Sequence, residues 1–146
     1  MRIRRVAPAD IPALARIAAA AYRDAFAAII GPRALSGRGP RFFARRFRRD
    51  RRRMRLASAG GRPVGFSLTT RRHLDMLFVD PERQGRGAGR RLLAECERRG
   101  VRSLECFRDN LAARRFYERA GWRQTRAYDR VFIGAEYAFL RYERPA

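Results

Sequence analysis

A glycine-rich segment, Gln84-Gly85-Arg86-Gly87-Ala88-Gly89, carries the clearest chemical signal in the sequence. Glycine lets the backbone approach a ligand closely and adopt positive φ values. A strand-like run precedes the segment and a helix-like run follows it, so its N–H groups would lie at the positive end of a helix. Such a turn suits a pyrophosphate, and Arg83, Arg86 and Arg90 could add charge-assisted hydrogen bonds.

Two other phosphate-binding motifs do not fit this segment. The dinucleotide fingerprint Gly-x-Gly-x-x-Gly needs a glycine where the chain has Arg90, counted from Gly85, or Leu92, counted from Gly87. The ATP-binding P-loop needs a lysine, and all 35 basic residues of this chain are arginine. A glycine-rich helix start that binds no ligand stays open as the alternative.

The elements that would position this turn follow from hydrophobic periodicity and from glycine and proline breaks. Strands are predicted at 2–6, 54–59, 63–70, 73–79, 101–107, 122–128 and 137–142. Helices are predicted after a cap at Asp10, at 41–50 with Phe43 and Phe47 on one face, at 87–99, and from a cap at Asp109 or Asn110 to Gly121. This is the pattern of a single domain spanning 1–146.

Composition narrows the class of protein. Hydrophobic residues make up 46% of the chain, which is enough for a core. No apolar run approaches the ~20 residues of a membrane-spanning helix, and the N-terminus lacks an apolar signal core. We therefore expect a cytoplasmic protein without a membrane partner. Two cysteines and one histidine make a poor zinc set, so no metal is expected.

The net charge of +21 is the feature that would suggest nucleic acid as a partner. Arginine without lysine, in a chain rich in alanine and glycine, is instead typical of codon choice in a GC-rich genome. The arginines between 41 and 55 accordingly favour a solvated helix face over a polyanion patch. A polyanion- or RNA-binding module on an inactive enzyme fold remains the alternative function.

Two segments carry a family resemblance. The segment from Val79 to Gly89 resembles the acetyl-CoA-binding signature of the GNAT acetyltransferases, Gln/Arg-x-x-Gly-x-Gly/Ala. The segment from Asn110 to Trp122 is similar to the second signature, Asn-x-x-Ala-x-x-Phe-Tyr-Glu-x-x-Gly-Phe/Trp. The resemblance implies an α/β fold: a mixed, mostly antiparallel sheet of about six to seven strands, with splayed fourth and fifth strands, flanked by about four helices.

The same resemblance implies the donor and the residues that would bind it. The donor is acetyl-CoA, and backbone groups of Leu77, Phe78 and Val79 would line its pantetheine arm. A backbone N–H near Phe78 would polarise the thioester carbonyl. The pyrophosphate would lie on Gln84, Gly85, Arg86, Gly87, Ala88, Gly89 and Arg90. Asn110 would contact the pantetheine arm, unless its only role is that of a helix cap.

Catalytic residues follow from the chemistry of acetyl transfer to a primary amine by direct attack. By resemblance, Tyr117 is the general acid at the coenzyme sulfur, and the alternative is a core aromatic. Asp75 is the first choice for the general base and His73 the second, with a purely structural role left open. Both lie on one face of their strand, opposite Leu74, Met76 and Phe78.

Two further residues near this strand have weaker claims to catalysis. Glu105, on the following strand, is an additional candidate for the base. Cys106 favours packing over a nucleophilic role, because direct transfer needs no acyl-enzyme.

The net charge of the protein is the only feature of the sequence that indicates the chemical class of the acceptor. A protein at +21 repels strongly cationic acceptors, so we expect a small-molecule amine that also bears a carboxylate or phosphate. The other expectation is a peptide N-terminus on an acidic or ribonucleoprotein partner. The sequence does not decide whether the transferred group is acetyl or a longer acyl group. A homodimer, which similar families often form, also stays open.

Overall fold

The computed structural model describes residues 1–145. The strands are β1 (Arg2–Arg5), β2 (Met54–Ala59), β3 (Arg62–Thr70), β4 (His73–Val79), β5 (Ser103–Phe107), β6 (Arg123–Phe132) and β7 (Ala135–Glu143). The helices are α1 (Ile11–Ile30), α2 (Pro40–Asp50), α3 (Ala88–Arg98) and α4 (Leu111–Arg119), with short 3₁₀ turns at Pro8–Asp10, Arg51–Arg53 and Pro81–Arg83. Over the described residues, the predicted order of strands and helices is confirmed.

The strands form one sheet in the order β1-β2-β3-β4-β5-β7-β6, seven strands within residues 1–145. Neighbouring strands pair antiparallel except β4 and β5, which are parallel. That parallel pair is short, because only His73 with Ser103 and Leu74 with Leu104 are in register. Beyond these pairs the two strands diverge. The predicted mixed α/β sheet with splayed fourth and fifth strands is confirmed.

A β-bulge interrupts β4 next to this divergence. Leu68 of β3 lies opposite Met76, whereas the next residue of β3 lies opposite Leu74, so Asp75 is the extra residue. Leu74 therefore packs in the core cluster under α3 and α4, and Met76 packs in the cluster under α1 and α2. The predicted placement of Leu74 and Met76 on one face is wrong, because the bulge shifts the alternation by one residue.

Two larger hydrophobic clusters cover the two faces of the sheet. On one face, Phe43 and Phe47 of α2 are fully buried against α1 and Phe66 of β3, as the spacing of the two phenylalanines predicts. On the other, Leu93 of α3, Tyr117 of α4 and Trp122 pack together. No helix among the described residues is both long enough and apolar enough to cross a membrane.

Two local predictions need correction. Asp10 does not cap α1 through its side chain; its carboxylate accepts hydrogen bonds from the Ala7 N–H at 2.7 Å and from Arg4 at 2.8 and 2.9 Å. The last two strands are longer than predicted. β6 is an edge strand whose side chains are mostly exposed on both faces, so hydrophobic alternation does not mark its full length.

Candidate functional site

A cavity of about 600 Å³ opens where β4 turns into α3, and we call it the α3 cavity. The predicted coenzyme residues that line it are Leu77, Phe78, Val79, Gln84, Gly85, Gly87, Ala88, Gly89, Arg90 and Asn110. Arg86, also predicted, is exposed and does not line the cavity. Residues of α1 and α4 complete the wall. The glycine turn and the second signature therefore meet at one site.

The start of α3 has the geometry of an anion site. Gly87 is the N-cap residue with φ of 85°, a left-handed conformation that favours glycine, and it leaves the first turn without a side-chain cap. The first N–H groups of a helix lack intrahelical acceptors and carry the positive end of its dipole. Gly89 has a different role, since a Cβ there would lie 3.3 Å from the Phe116 ring of α4. It keeps α3 and α4 close.

A second glycine contact holds the strand that borders the cavity. A Cβ on Gly65 of β3 would lie 2.8 Å from the Phe78 carbonyl oxygen, so only glycine permits this approach. Neither signature contains Gly65, and the signal that could have found it is a glycine inside a predicted strand. Gly65 thereby fixes the backbone of β4 at Phe78.

A second cavity, of about 300 Å³, lies next to the first, and we call it the aromatic cavity. Its apolar wall is made of the rings of Tyr22, Phe26, Phe78, Phe107, Phe132 and Phe139. Because these rings come from α1, β4, β5, β6 and β7, no local sequence motif could have grouped them. The polar residues in the wall include the predicted His73 and Asp75, together with Glu105.

The two candidate bases have different partners. Thr70 donates a hydrogen bond from Oγ1 to the Asp75 carboxylate at 2.5 Å, and Arg53 Nη1 lies 3.6 Å from the same oxygen. His73 Nδ1 lies 2.8 Å from Ser103 Oγ, across the short β4–β5 pair. Within residues 1–145, the other ring nitrogen of His73 has no hydrogen-bond partner. Both predicted side chains reach the same cavity.

Glu105 is already occupied by neighbouring groups. It accepts hydrogen bonds from the Tyr128 hydroxyl and from Arg130, both on β6. Burial, together with the Glu105 carboxylate, raises the pKa of Tyr128 to about 12. Arg130 also lies over the Phe139 ring at 4.8 Å. These contacts make Glu105 a poorer candidate for a free base than Asp75 or His73.

The two cavities share part of their walls. Leu77, Phe78, Asn110, Ala113 and Tyr117 line both. The Asn110 side chain accepts a hydrogen bond from the Ala113 N–H at 3.2 Å, so it caps α4 while facing the cavities. Burial raises the pKa of Tyr117 well above its ordinary value. Tyr117 therefore carries its proton at neutral pH, at the place where the two cavities adjoin.

Cys106 lines the aromatic cavity but is a poor nucleophile. Burial raises the pKa of its thiol to about 11, so the thiolate is scarce at neutral pH.

No group of three or more His, Cys, Asp or Glu side chains that could hold a metal ion occurs in the part of the chain that the structure describes.

Comparison with known proteins adds a family match. A family model described as "Acetyltransferase (GNAT) domain" matches residues 34–143. Over 80 residues the chain is 34% identical to the peptidyl-lysine N-acetyltransferase YjaB of Salmonella typhimurium. The matched segment covers 53% of this chain and 54% of that protein. The match thus spans about half the length of this curated relative.

Solved structures with the same fold extend over nearly the whole chain. A GCN5-related N-acetyltransferase from Rhodopseudomonas palustris has a TM-score of 0.78 at 25% identity, covering 99% of this chain and 95% of that chain. The PaiA N-acetyltransferase from Thermoplasma acidophilum, in complex with coenzyme A, has a TM-score of 0.73 at 17% identity, covering 99% of this chain and 98% of that chain.

The raised pKa of Cys106 predicts slow thiol chemistry. With a pKa of about 11 in place of 9.0, the thiolate fraction at pH 8 falls roughly 100-fold. We expect iodoacetamide to alkylate Cys106 at least roughly 100-fold more slowly in the folded protein than in urea. Timed quenching and mass spectrometry measure the two rates, and Cys106→Ser identifies the signal. Rapid labelling of the folded protein, or an acetyl thioester on Cys106 after incubation with acetyl-CoA, would restore the nucleophile alternative.

Proposed function

Because this chain belongs to the GNAT acetyltransferase family, we propose that it transfers an acetyl group from acetyl-CoA to a primary amine by direct attack. The observation that carries the proposal is the common wall of the two cavities, to which Phe78 and Tyr117 contribute. With the donor in the α3 cavity and the acceptor in the aromatic cavity, thioester and amine would meet at this wall. Both substrates would then be bound at once.

Donor binding would use backbone groups more than side chains. The uncapped first turn of α3, with Gly87 at its N-cap, would hold the pyrophosphate. The edge of β4 from Leu77 to Val79, which β5 leaves unpaired, would hydrogen-bond the pantetheine arm. Arg90 lines this cavity and Arg86 lies exposed outside it, where it could reach the outer phosphates. PaiA, which has the same fold, was solved in complex with coenzyme A, and this supports coenzyme A as the carrier of the acetyl group.

Tyr117 would supply the proton that the coenzyme thiolate takes up. The amine nitrogen forms a bond to the carbonyl carbon, the carbon–sulfur bond breaks, and the Tyr117 hydroxyl protonates the sulfur. A backbone N–H near Phe78 would stabilise the negative charge that develops on the carbonyl oxygen. The phenolate must regain a proton after each turnover, and the attacking amine releases one in the same turnover.

The attacking amine must be neutral, since an alkyl ammonium with a pKa near ~10.4 has no free electron pair. Asp75 and His73 both line the aromatic cavity and are the candidates to remove its proton. The bulge at Asp75 and the bond from Thr70 orient the carboxylate. The contact with Ser103 orients the imidazole of His73 and leaves its second nitrogen for the amine or for a water molecule.

For the acceptor, we propose the primary amine of a peptide, with a lysine side chain as the first choice. Aromatic walls can pack the methylene stem of lysine, and ring faces attract an ammonium group. The two arginines of this cavity are already paired, Arg46 with Asp50 and Arg130 with Glu105. The name of the relative YjaB, a peptidyl-lysine N-acetyltransferase, supports this choice. The comparisons lend no support to the alternative of a nucleic-acid-binding module.

Donor binding can be tested by thermal stability. Acetyl-CoA should stabilise the folded protein by ~2.7 kcal/mol at a hundred times its dissociation constant. Gly87→Asp should abolish this effect, because the aspartate charge opposes the pyrophosphate at the start of α3. Gly134→Asp is the matched control, since Gly134 has a similar φ of 80° and open surroundings, and it lines neither cavity. Melting temperatures that do not respond to acetyl-CoA in the wild type would refute the proposal.

The role of Tyr117 can be tested by removing one oxygen atom. Tyr117→Phe should lower kcat for acetylation of a lysine peptide by about 10²–10⁴ while acetyl-CoA affinity stays unchanged. Tyr137→Phe is the control, because Tyr137 lines neither cavity. If turnover per folded molecule is normal in Tyr117→Phe, Tyr117 is a core residue and not the acid.

The general base can be tested through the pH profile of kcat/KM. Asp75→Asn should lower kcat/KM and flatten its rise on the acidic limb, because the proton acceptor is lost. His73→Ala is measured beside it. If only His73→Ala flattens that limb, the histidine is the base; if neither variant changes it, both assignments are wrong.

A further inference from the structure

A groove on the α3 side of the sheet, near its β1 edge, lies apart from the proposed site. Its volume is about 500 Å³, and its wall includes Arg5 of β1, Arg55 of β2 and Arg91, Glu95 and Arg98 of α3. We call it the arginine groove. Among residues 1–145, it shares no lining residue with the α3 cavity or the aromatic cavity.

The fold brings these arginines together from three elements. Arg91 and Arg98 are seven residues apart on α3, with Glu95 between them, so the three share one helix face. Arg5 lies directly opposite Arg55 in the β1–β2 ladder, which places two guanidinium groups on one face of the sheet. Like charges directly opposite each other in a sheet are destabilising unless a counter-charge lies between them.

The charges of the groove do not balance. Glu95 is bound by Arg99, which donates from Nε to its Oε2 at 2.8 Å, and Arg55 Nε lies 3.7 Å from the same oxygen. By contrast, Arg5, Arg91 and Arg98 form no ion pair and no side-chain hydrogen bond anywhere in the described part of the chain. The groove therefore carries positive charge that the protein itself does not compensate.

Arg55 is the most sheltered of these cations, with only 16% of its side chain exposed. Burial, together with repulsion from Arg99 and Arg5, lowers the pKa of Arg55 in spite of the nearby Glu95 carboxylate. A partly buried cation in positive surroundings gains stability from any anion that reaches it.

We propose that the arginine groove binds the pyrophosphate group of a small molecule, independently of acetyl-CoA. Guanidinium groups bind phosphate oxygens through paired hydrogen bonds, and a diphosphate offers enough oxygens and charge for Arg5, Arg91 and Arg98 together. A recessed groove of about 500 Å³ between a helix and two strands also has room for an organic group beyond the phosphates.

Calorimetric titration of the full chain with inorganic pyrophosphate, at about 0.15 M salt to screen long-range attraction, tests this site. The groove variant combines Arg5→Gln, Arg91→Gln and Arg98→Gln. The matched control combines Arg41→Gln, Arg45→Gln and Arg48→Gln, which removes the same charge from exposed positions of α2. We expect the groove variant to lose at least about tenfold in affinity and the control to bind like the wild type.

A third variant separates this site from the donor site. Pyrophosphate should still bind to Gly87→Asp, whose change lies in the α3 cavity and leaves the arginine groove intact. Loss of binding in Gly87→Asp with no loss in the groove variant would place the pyrophosphate in the α3 cavity and overturn the inference. Equal losses in the groove variant and the α2 control, or no binding to the wild type, would overturn it as well.

Discussion

The shortness of the β4–β5 pairing is the constraint on which the rest of the site depends. A parallel pair held by only two registered residue pairs leaves the second half of β4 without a neighbour on one edge. Backbone N–H and C=O groups inside a protein need partners, so this edge is suited to a ligand that can pair as a strand would. The two cavities exist because the divergence of the strands leaves space that side chains of α1, α4 and β7 only partly fill.

The opening in the sheet is maintained by features on either side of it. The bulge at Asp75 shifts the alternation of β4, so that Met76 and Phe78 pack under α1 and α2 while Leu77 packs under α3. Gly65 lets β3 lie against the Phe78 carbonyl, and Gly89 lets α3 lie against Phe116. The framework around the opening is therefore packed tightly.

Local signals were sufficient to predict most of the fold and the position of the α3 cavity. The glycine turn and the Asn110 cap each depend on a few adjacent residues, and each is found where it was predicted. The aromatic cavity could not be predicted, since Phe26, Phe107 and Phe132 meet only through the sheet order. The bulge could not be predicted either, because a register shift depends on pairing with β3 and the sequence of β4 alone does not indicate it.

The arginines of the aromatic cavity have a consequence for the chemistry that can happen there. Arg46 and Arg130 border the space proposed for the acceptor, and every other basic side chain of this sequence apart from His73 is also a guanidinium. A guanidinium keeps its proton throughout the physiological range and is not a nucleophile. A lysine at either position would be a competing acceptor held beside the thioester. With no lysine in the sequence, no side-chain amine of one copy can be acetylated by another.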